Sequence, residues 1–233
     1  MPKLNWIDDK DLYIHVTDLL DKAKDAKNKA IKNFGSNVID PFSSLFEISG
    51  FGLTYTGWLK NEAARQAQKT LQNHVGEFHQ KILGSCKNWQ NMGTGSIIDL
   101  VSNSRKIIAE IKNKYNTIKG SDLSGLYKSM EELVMNKASV YKGFTSYYSV
   151  IIPKNPIRYD KVFTPSDNKK GGKCPVNNLI REIDGASFYE LVTGDKYALK
   201  DLFETMPLVI SDITGKNLID TTKSEALFKK AYG

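Results

Sequence analysis

The chain has 233 residues, of which 40% are hydrophobic, 25% charged and 10% aromatic; these values exclude a disordered or fibrous class and allow one sizeable core. Its 33 Lys+Arg against 26 Asp+Glu give a formal charge of +7, which favours a polyanionic partner over a neutral or acidic one. Cys86 and Cys174 lie far apart with no ligand-spaced neighbour, so neither a zinc site nor a disulfide framework is expected; the charged N-terminus and the lack of a long apolar run point to a cytoplasmic protein.

From Asp8 the residues Leu12, Val16, Leu19, Leu20 and Ala23 recur at helical spacing, and Gly35 supplies a stop. Residues 40–58 mix Pro, Gly and Ser with aromatics and read as irregular. A second helix is expected from near Leu59, with a possible break at Gly76. Next come two short β-branched runs, "SIIDLV" and "KIIAEIK", which the polar "SNSR" joins as a hairpin would. After a polar link at 113–122, "LSGLYKSMEELVMNKAS" is helical and "FTSYYSVIIP" is a strand ending at Pro153. Residues 154–178, with three prolines and paired glycines, read as a long loop or arm. The remainder offers a strand, a turn at Asp184–Gly185, a helix from about Tyr197 and a last strand at "PLVI". The expectation is one α/β domain with a central mixed sheet flanked by helices: a helical and irregular N-terminal extension (1–58), a catalytic core (59–153) and a C-terminal DNA-contacting part (154–233).

In the strand "KIIAEIK", successive side chains alternate faces, so Glu110 and Lys112 share one face with Ile108. If the preceding run pairs with it as an antiparallel hairpin, Asp99 comes close to Glu110. Two crowded carboxylates repel; a divalent cation removes that penalty and an adjacent lysine offsets the rest. Hard oxygen ligands suit Mg²⁺, with Mn²⁺ as a substitute, and such a site cleaves phosphodiesters. Asp99 and Glu110 are the candidate ligands, the carbonyl of Ile111 a further one, and Lys112 the group that orients or helps deprotonate the attacking water. Other carboxylate-x-lysine pairs (Asp8/Lys10, Asp25/Lys27, Asp167/Lys169) lie in polar surroundings, whereas Glu110 and Lys112 form the only Glu-x-Lys and interrupt a β-branched run. The plainer alternative is a half-exposed strand carrying an ion pair on its polar face.

Asp99, ten residues, then Glu110-Ile111-Lys112, with a helix before and a helix and strand after, resembles the PD-(D/E)XK nuclease superfamily and its αβββαβ core. Ile98 stands where that pattern often has proline. "NEAARQAQKTLQNHVGEFHQKIL", "EIKNKYNT", "REIDGASFYELVTG" and "LFETMP" resemble blocks of type II restriction endonucleases that cut GGNCC-like or GGWCC-like sites, and together they span most of residues 8–215. The resemblance implies a homodimeric, Mg²⁺-dependent enzyme that hydrolyses both strands of an unmodified double-stranded DNA palindrome and leaves 5′-phosphates, with a companion methyltransferase protecting the host. It makes Asp99, Glu110 and Lys112 catalytic and offers Glu62, on the preceding helix, as a further carboxylate near the metal.

For DNA contact the candidates are Asn113, Lys114, Asn116 and Lys119 directly after the catalytic strand, and Lys169, Lys170 and Lys173 in a basic arm. Arg158 and Arg181 are candidate readers of guanine. His79, between apolar neighbours on a helix, is assigned a structural role, as is His15. His74, Glu182 and Asp184 form a rival acidic set that no lysine completes. No phosphate-cradling GxxxxGK loop is present, which argues against ATP use. Two other readings stay open: a repair or recombination nuclease of the same fold, and a non-catalytic basic DNA-binding module.

Overall fold

The structure is a computed structural model that describes residues 2–32, 34–93, 95–167 and 171–233, with the backbone alone for Ser36. Helix α1 (Asp9–Lys32) carries Asp9 and Asp11 in its first turn and Lys29 and Lys32 in its last, charges that complement the helix dipole at both ends. The segment read as irregular contains a helix, α2 (Pro41–Gly50). Asp40 caps it by accepting from the N–H groups of Phe42 (2.9 Å) and Ser43 (3.2 Å), and Pro41 occupies the first turn. A short Asp-Pro start preceding aromatic residues lacks a long apolar period, which is why the pattern looked like a loop.

Helix α3 (Tyr55–Gly84) is 30 residues long and runs unbroken through Gly76. It packs antiparallel to α1: His15 meets Ser85 (2.8 Å), Asp18 meets Lys81 (2.5 Å) and Lys22 meets Glu77 (3.0 Å), so one chain ascends as the other descends. After it come β1 (Gln90–Asn91), β2 (Leu100–Ser102), β3 (Ile107–Lys114), α4 (Leu123–Met135) and β4 (Thr145–Ile152). This is the expected αβββαβ order, and β2 and β3 form the expected antiparallel hairpin.

The arm read as a loop carries β5 (Asp160–Val162) and a small hairpin of β6 (Ser166–Asp167) and β7 (Gly172–Lys173). Then follow β8 (Ile180–Asp184), α5 (Gly185–Thr193), α6 (Ala198–Thr214) and α7 (Thr221–Tyr232). The expected strand at "PLVI" is the second half of α6: Leu202, Met206, Val209, Ile210 and Ile213 recur at helical spacing and pack against the core. A helix period over the whole segment outweighs a local β-branched run.

The main sheet has the order β1-β2-β3-β4-β8-β5, with β3, β4 and β8 parallel and the two edges antiparallel. Parallel central strands need cover on both faces, and both are covered. One face, with Leu100, Ile107, Ala109, Ile111 and Ile151, packs under α1, α3, α5 and α6. The other, with Val101, Ile108, Tyr148 and Ile180, packs against α4 and Phe163. Gly185 opens α5 where β8 presses on β4; a Cβ there would stand 2.3 Å from the Ile151 carbonyl oxygen. No helix among the described residues is long and apolar enough to cross a membrane.

Candidate active site

The site forms where β2 begins beside the middle of β3. Leu100 stands opposite Ala109 in the register, yet the Ala109 carbonyl also accepts from the Asp99 N–H (2.9 Å). Two residues facing one is a bulge, a device that re-aims a side chain. Here it turns the Asp99 carboxylate toward the part of β3 that β2 no longer covers, and Oδ2 accepts from the Ile111 N–H at 2.7 Å. In an extended strand the N–H and C=O of one residue point to the same side, so the Ile111 carbonyl faces the same place.

Glu110 and Lys112 follow on the other face of β3, and Nζ of Lys112 donates to Oε1 of Glu110 at 2.5 Å. The side chain of Glu110 is 14% exposed and that of Lys112 27%, so the pair is largely desolvated but reachable. The Asp99 and Glu110 carboxyls are in hydrogen-bonding contact with each other. Burial pushes both above the usual carboxylate range, and the Asp99 charge pushes Glu110 further. Two carboxylates held together against this tendency, with a backbone carbonyl beside them, are a hard oxygen donor set that a divalent cation would stabilise. No group of three His, Cys, Asp or Glu side chains suited to a metal occurs among the described residues.

Gln80 of α3 makes a side-chain hydrogen bond to Asp99. Its only signal in the sequence is its place near the end of the block "NEAARQAQKTLQNHVGEFHQKIL", on the helix that leads into the core. Glu62, the helix carboxylate that the resemblance offers, is not brought to the site. It lies 18 residues earlier on the same unbroken helix, about 27 Å away at 1.5 Å per residue. There Arg65 (2.6 Å) and Gln66 (2.8 Å) cover its carboxylate, and the Arg65 hydrogen bond holds it below the usual range.

The remaining candidates divide. Asn116, Lys119 and Lys173 are exposed, and Lys114 ends β3 half-buried. Asn113 turns toward α3, where its Nδ2 donates to the Gln72 carbonyl at 3.5 Å, so it braces the strand on the helix. Arg158 is held by Ser187 (3.1 Å) and Glu190 (2.5 Å), and Arg181 by Asp160 (2.7 Å); neither guanidinium reaches outward to a base in this arrangement. Lys169 and Lys170 lie outside the described residues. In the rival acidic set, Asp184 caps α5 through the Ser187 N–H (3.0 Å) and also accepts from the Tyr159 N–H (2.6 Å), while His74 pairs with Glu77 (3.1 Å). These are structural duties.

A sequence model described as the Eco47II restriction endonuclease matches residues 4–215. The chain belongs to the Eco47II restriction endonuclease family. It is 51% identical over 218 residues to the type II restriction enzyme Eco47II of Escherichia coli, covering 94% of this chain and 91% of that one. It is 29% identical over 233 residues to the type II restriction enzyme Sau96I of Staphylococcus aureus, covering 98% of this chain and 88% of the other. As a member of the Eco47II family the chain is a type II restriction endonuclease, a site-specific deoxyribonuclease whose target is double-stranded DNA, and enzymes of this type generally use divalent metal ions.

Proposed function

We propose that this restriction endonuclease cuts a short GGNCC-like palindrome, uses Mg²⁺ and leaves 5′-phosphates, with Asp99, Glu110 and Lys112 as its catalytic residues. One observation carries the reading: the bulge at Asp99 brings its carboxylate against Glu110 while Lys112 donates to that same glutamate. Asp99, Glu110 and the Ile111 carbonyl would hold the ion. When bound, a divalent cation neutralises charge on the phosphate and lowers the pKa of a water at the site.

The protein's own groups do the rest. The Ile111 N–H, accepted by Oδ2, fixes the Asp99 carboxylate beside Glu110. Lys112 is tethered by Glu110 and projects into the same space, where its ammonium can orient the attacking water and donate to a non-bridging phosphate oxygen as charge builds there. The water oxygen bonds to phosphorus as the bond to the 3′-oxygen breaks, and the departing oxygen takes up a proton, so the phosphate stays on the 5′ end. Asn116, Lys119, Lys114 and Lys173 are suited to holding backbone phosphates. A homodimer with two such sites matches the two-fold symmetry of a palindrome, and a companion methyltransferase would mark the host's own sites. Digesting DNA of known sequence with Mg²⁺ or with EDTA and mapping the ends is the test. Discrete fragments with 5′-phosphate ends at one repeated palindrome are expected; a smear, or cutting that persists in EDTA, overturns the reading.

A further inference from the structure

The end of the α1–α3 pair remote from the site carries an apolar surface that the fold leaves uncovered. Helix α2 buries none of its residues, although it is tied down by the Trp58 indole, which donates to Glu47 at 3.0 Å. Within and around it Val38 is 103% exposed, Phe42 72%, Leu45 64%, Phe46 76%, Phe51 72% and Tyr55 64%. At 150–250 Å² for a whole aromatic side chain, these six residues present on the order of 800 Å² of largely apolar surface. The largest such patch on a monomer is ordinarily about 300–600 Å², whereas each side of a stable interface buries about 800 Å².

Beside this helix lies a groove of about 820 Å³ between α1 and α3, with Ala63, Ala64 and Ala67 as a floor and Ile31, Leu59 and Leu71 among its walls. Phe42 and Phe46 stand one turn apart on α2, so they form a single ridge. Knob and hole on one surface are what a two-fold contact between identical chains requires, because each copy must offer both halves.

We propose that this arm is the dimer interface: a second copy of this chain docks on it, with the Phe42/Phe46 ridge of each copy seated in the alanine-floored groove of the other. This rests on the dimeric reading above and names its surface. Because the arm lies about 27 Å along α3 from Gln80, a contact made there leaves Asp99 and Glu110 uncovered.

Sedimentation of the full-length protein at micromolar concentration is the test, comparing wild type with Phe42→Asp/Phe46→Asp and with Ala64→Glu. These positions are exposed, so circular dichroism and melting should report intact folds. Wild type is expected to sediment as two chains and both variants as one, with dimerisation weakened at least a hundredfold, while Lys112→Ala stays dimeric. Wild type sedimenting as a single chain, or either variant keeping the wild-type dimer, overturns the proposal. So does a variant that stays dimeric but loses DNA binding, which would turn the patch toward DNA. A dimer that these substitutions split, from a wild type that never cuts DNA at a defined site, would sink the nuclease reading and leave the interface standing.

Discussion

His79 should make the folded enzyme acid-sensitive. Its Nδ1 shares a 2.7 Å hydrogen bond with the Tyr189 hydroxyl, and its ring packs edge-on against Phe78 and Tyr189. What surface it keeps lines an apolar cavity of about 490 Å³ that Leu199, Leu202 and Tyr232 also wall. Lys114 is the charged residue on that wall, and it would repel an imidazolium. Burial therefore lowers the His79 pKa from 6.5 to about 4. Between those values the unfolded chain binds a proton that the folded chain does not, so stability is full above pH 6.5 and is lost as pH falls toward 4. At 1.36 kcal/mol per unit the loss is about 3 kcal/mol, or roughly 6–12 °C in melting temperature for a chain of this size. Urea unfolding of wild type and His79→Gln at pH 7.5, 6, 5 and 4 measures it. The glutamine does not titrate, its packing cost is the same at every pH, and other titrating groups cancel between the two proteins. Wild type should therefore lose about 3 kcal/mol more than the variant across the series, while the variant still cuts DNA at neutral pH. Parallel curves, or a folded variant that no longer cuts, would refute a structural role for this histidine.

The other expectations concern the site and its supports. Lys112→Ala and Glu110→Gln should each lower single-turnover cleavage by about 10³ or more with DNA binding retained in gel-shift assays; activity within tenfold of wild type would contradict the assignment. Gln80→Leu, which frees one side of Asp99, should lower metal affinity or cleavage about 10–100-fold, read by titrating Mg²⁺ in a fixed-time digest. Glu62→Ala should leave the cleavage rate unchanged and cost at most about 1 kcal/mol, because its partner Arg65 is 66% exposed. Gly185→Ala should abolish folding or cost several kcal/mol, since its Cβ would overlap backbone of β4; a melt within a few degrees of wild type would show that the β8–α5 junction yields.

What the sequence disclosed tracks how local the causing interaction is. The alternation of "IIAEIK" requires nothing beyond strand geometry, so the faces of Ile107 and Glu110 were readable, and the pairing of Asp99 followed from the short link to the next strand. Glu62 failed for a geometric reason: a glutamate on the right helix is useless at the wrong height, and which turn of α3 meets β2 depends on a docking that no local pattern encodes. Gln80 was hidden for the same reason. "PLVI" misled because four residues satisfy either period, and only the flanking Leu202 and Ile213 reveal the helix. The ion pairs that occupy Arg158 and Arg181 join residues 21–32 positions apart, so nothing near either arginine announced that its guanidinium was already engaged.

Strand β3 is asked to serve the core and the site together, and its two sides show how it does so. Ile107, Ala109 and Ile111 are all buried under the helical layer, which anchors the strand firmly enough to hold two carboxyls in a position they would not choose. Those carboxyls resist ionisation for want of water, yet three donors, the Ile111 N–H, the Lys112 ammonium and Gln80, keep them in place. Removing the burial would let water satisfy the carboxylates and weaken their demand for a cation; removing the donors would let them swing apart. If these carboxyls hold the metal, packing on one face of β3 is what keeps them together on the other, and so substitutions that loosen Ile111 or Ala109 from the helices should reduce metal affinity before they reduce the melting temperature by much.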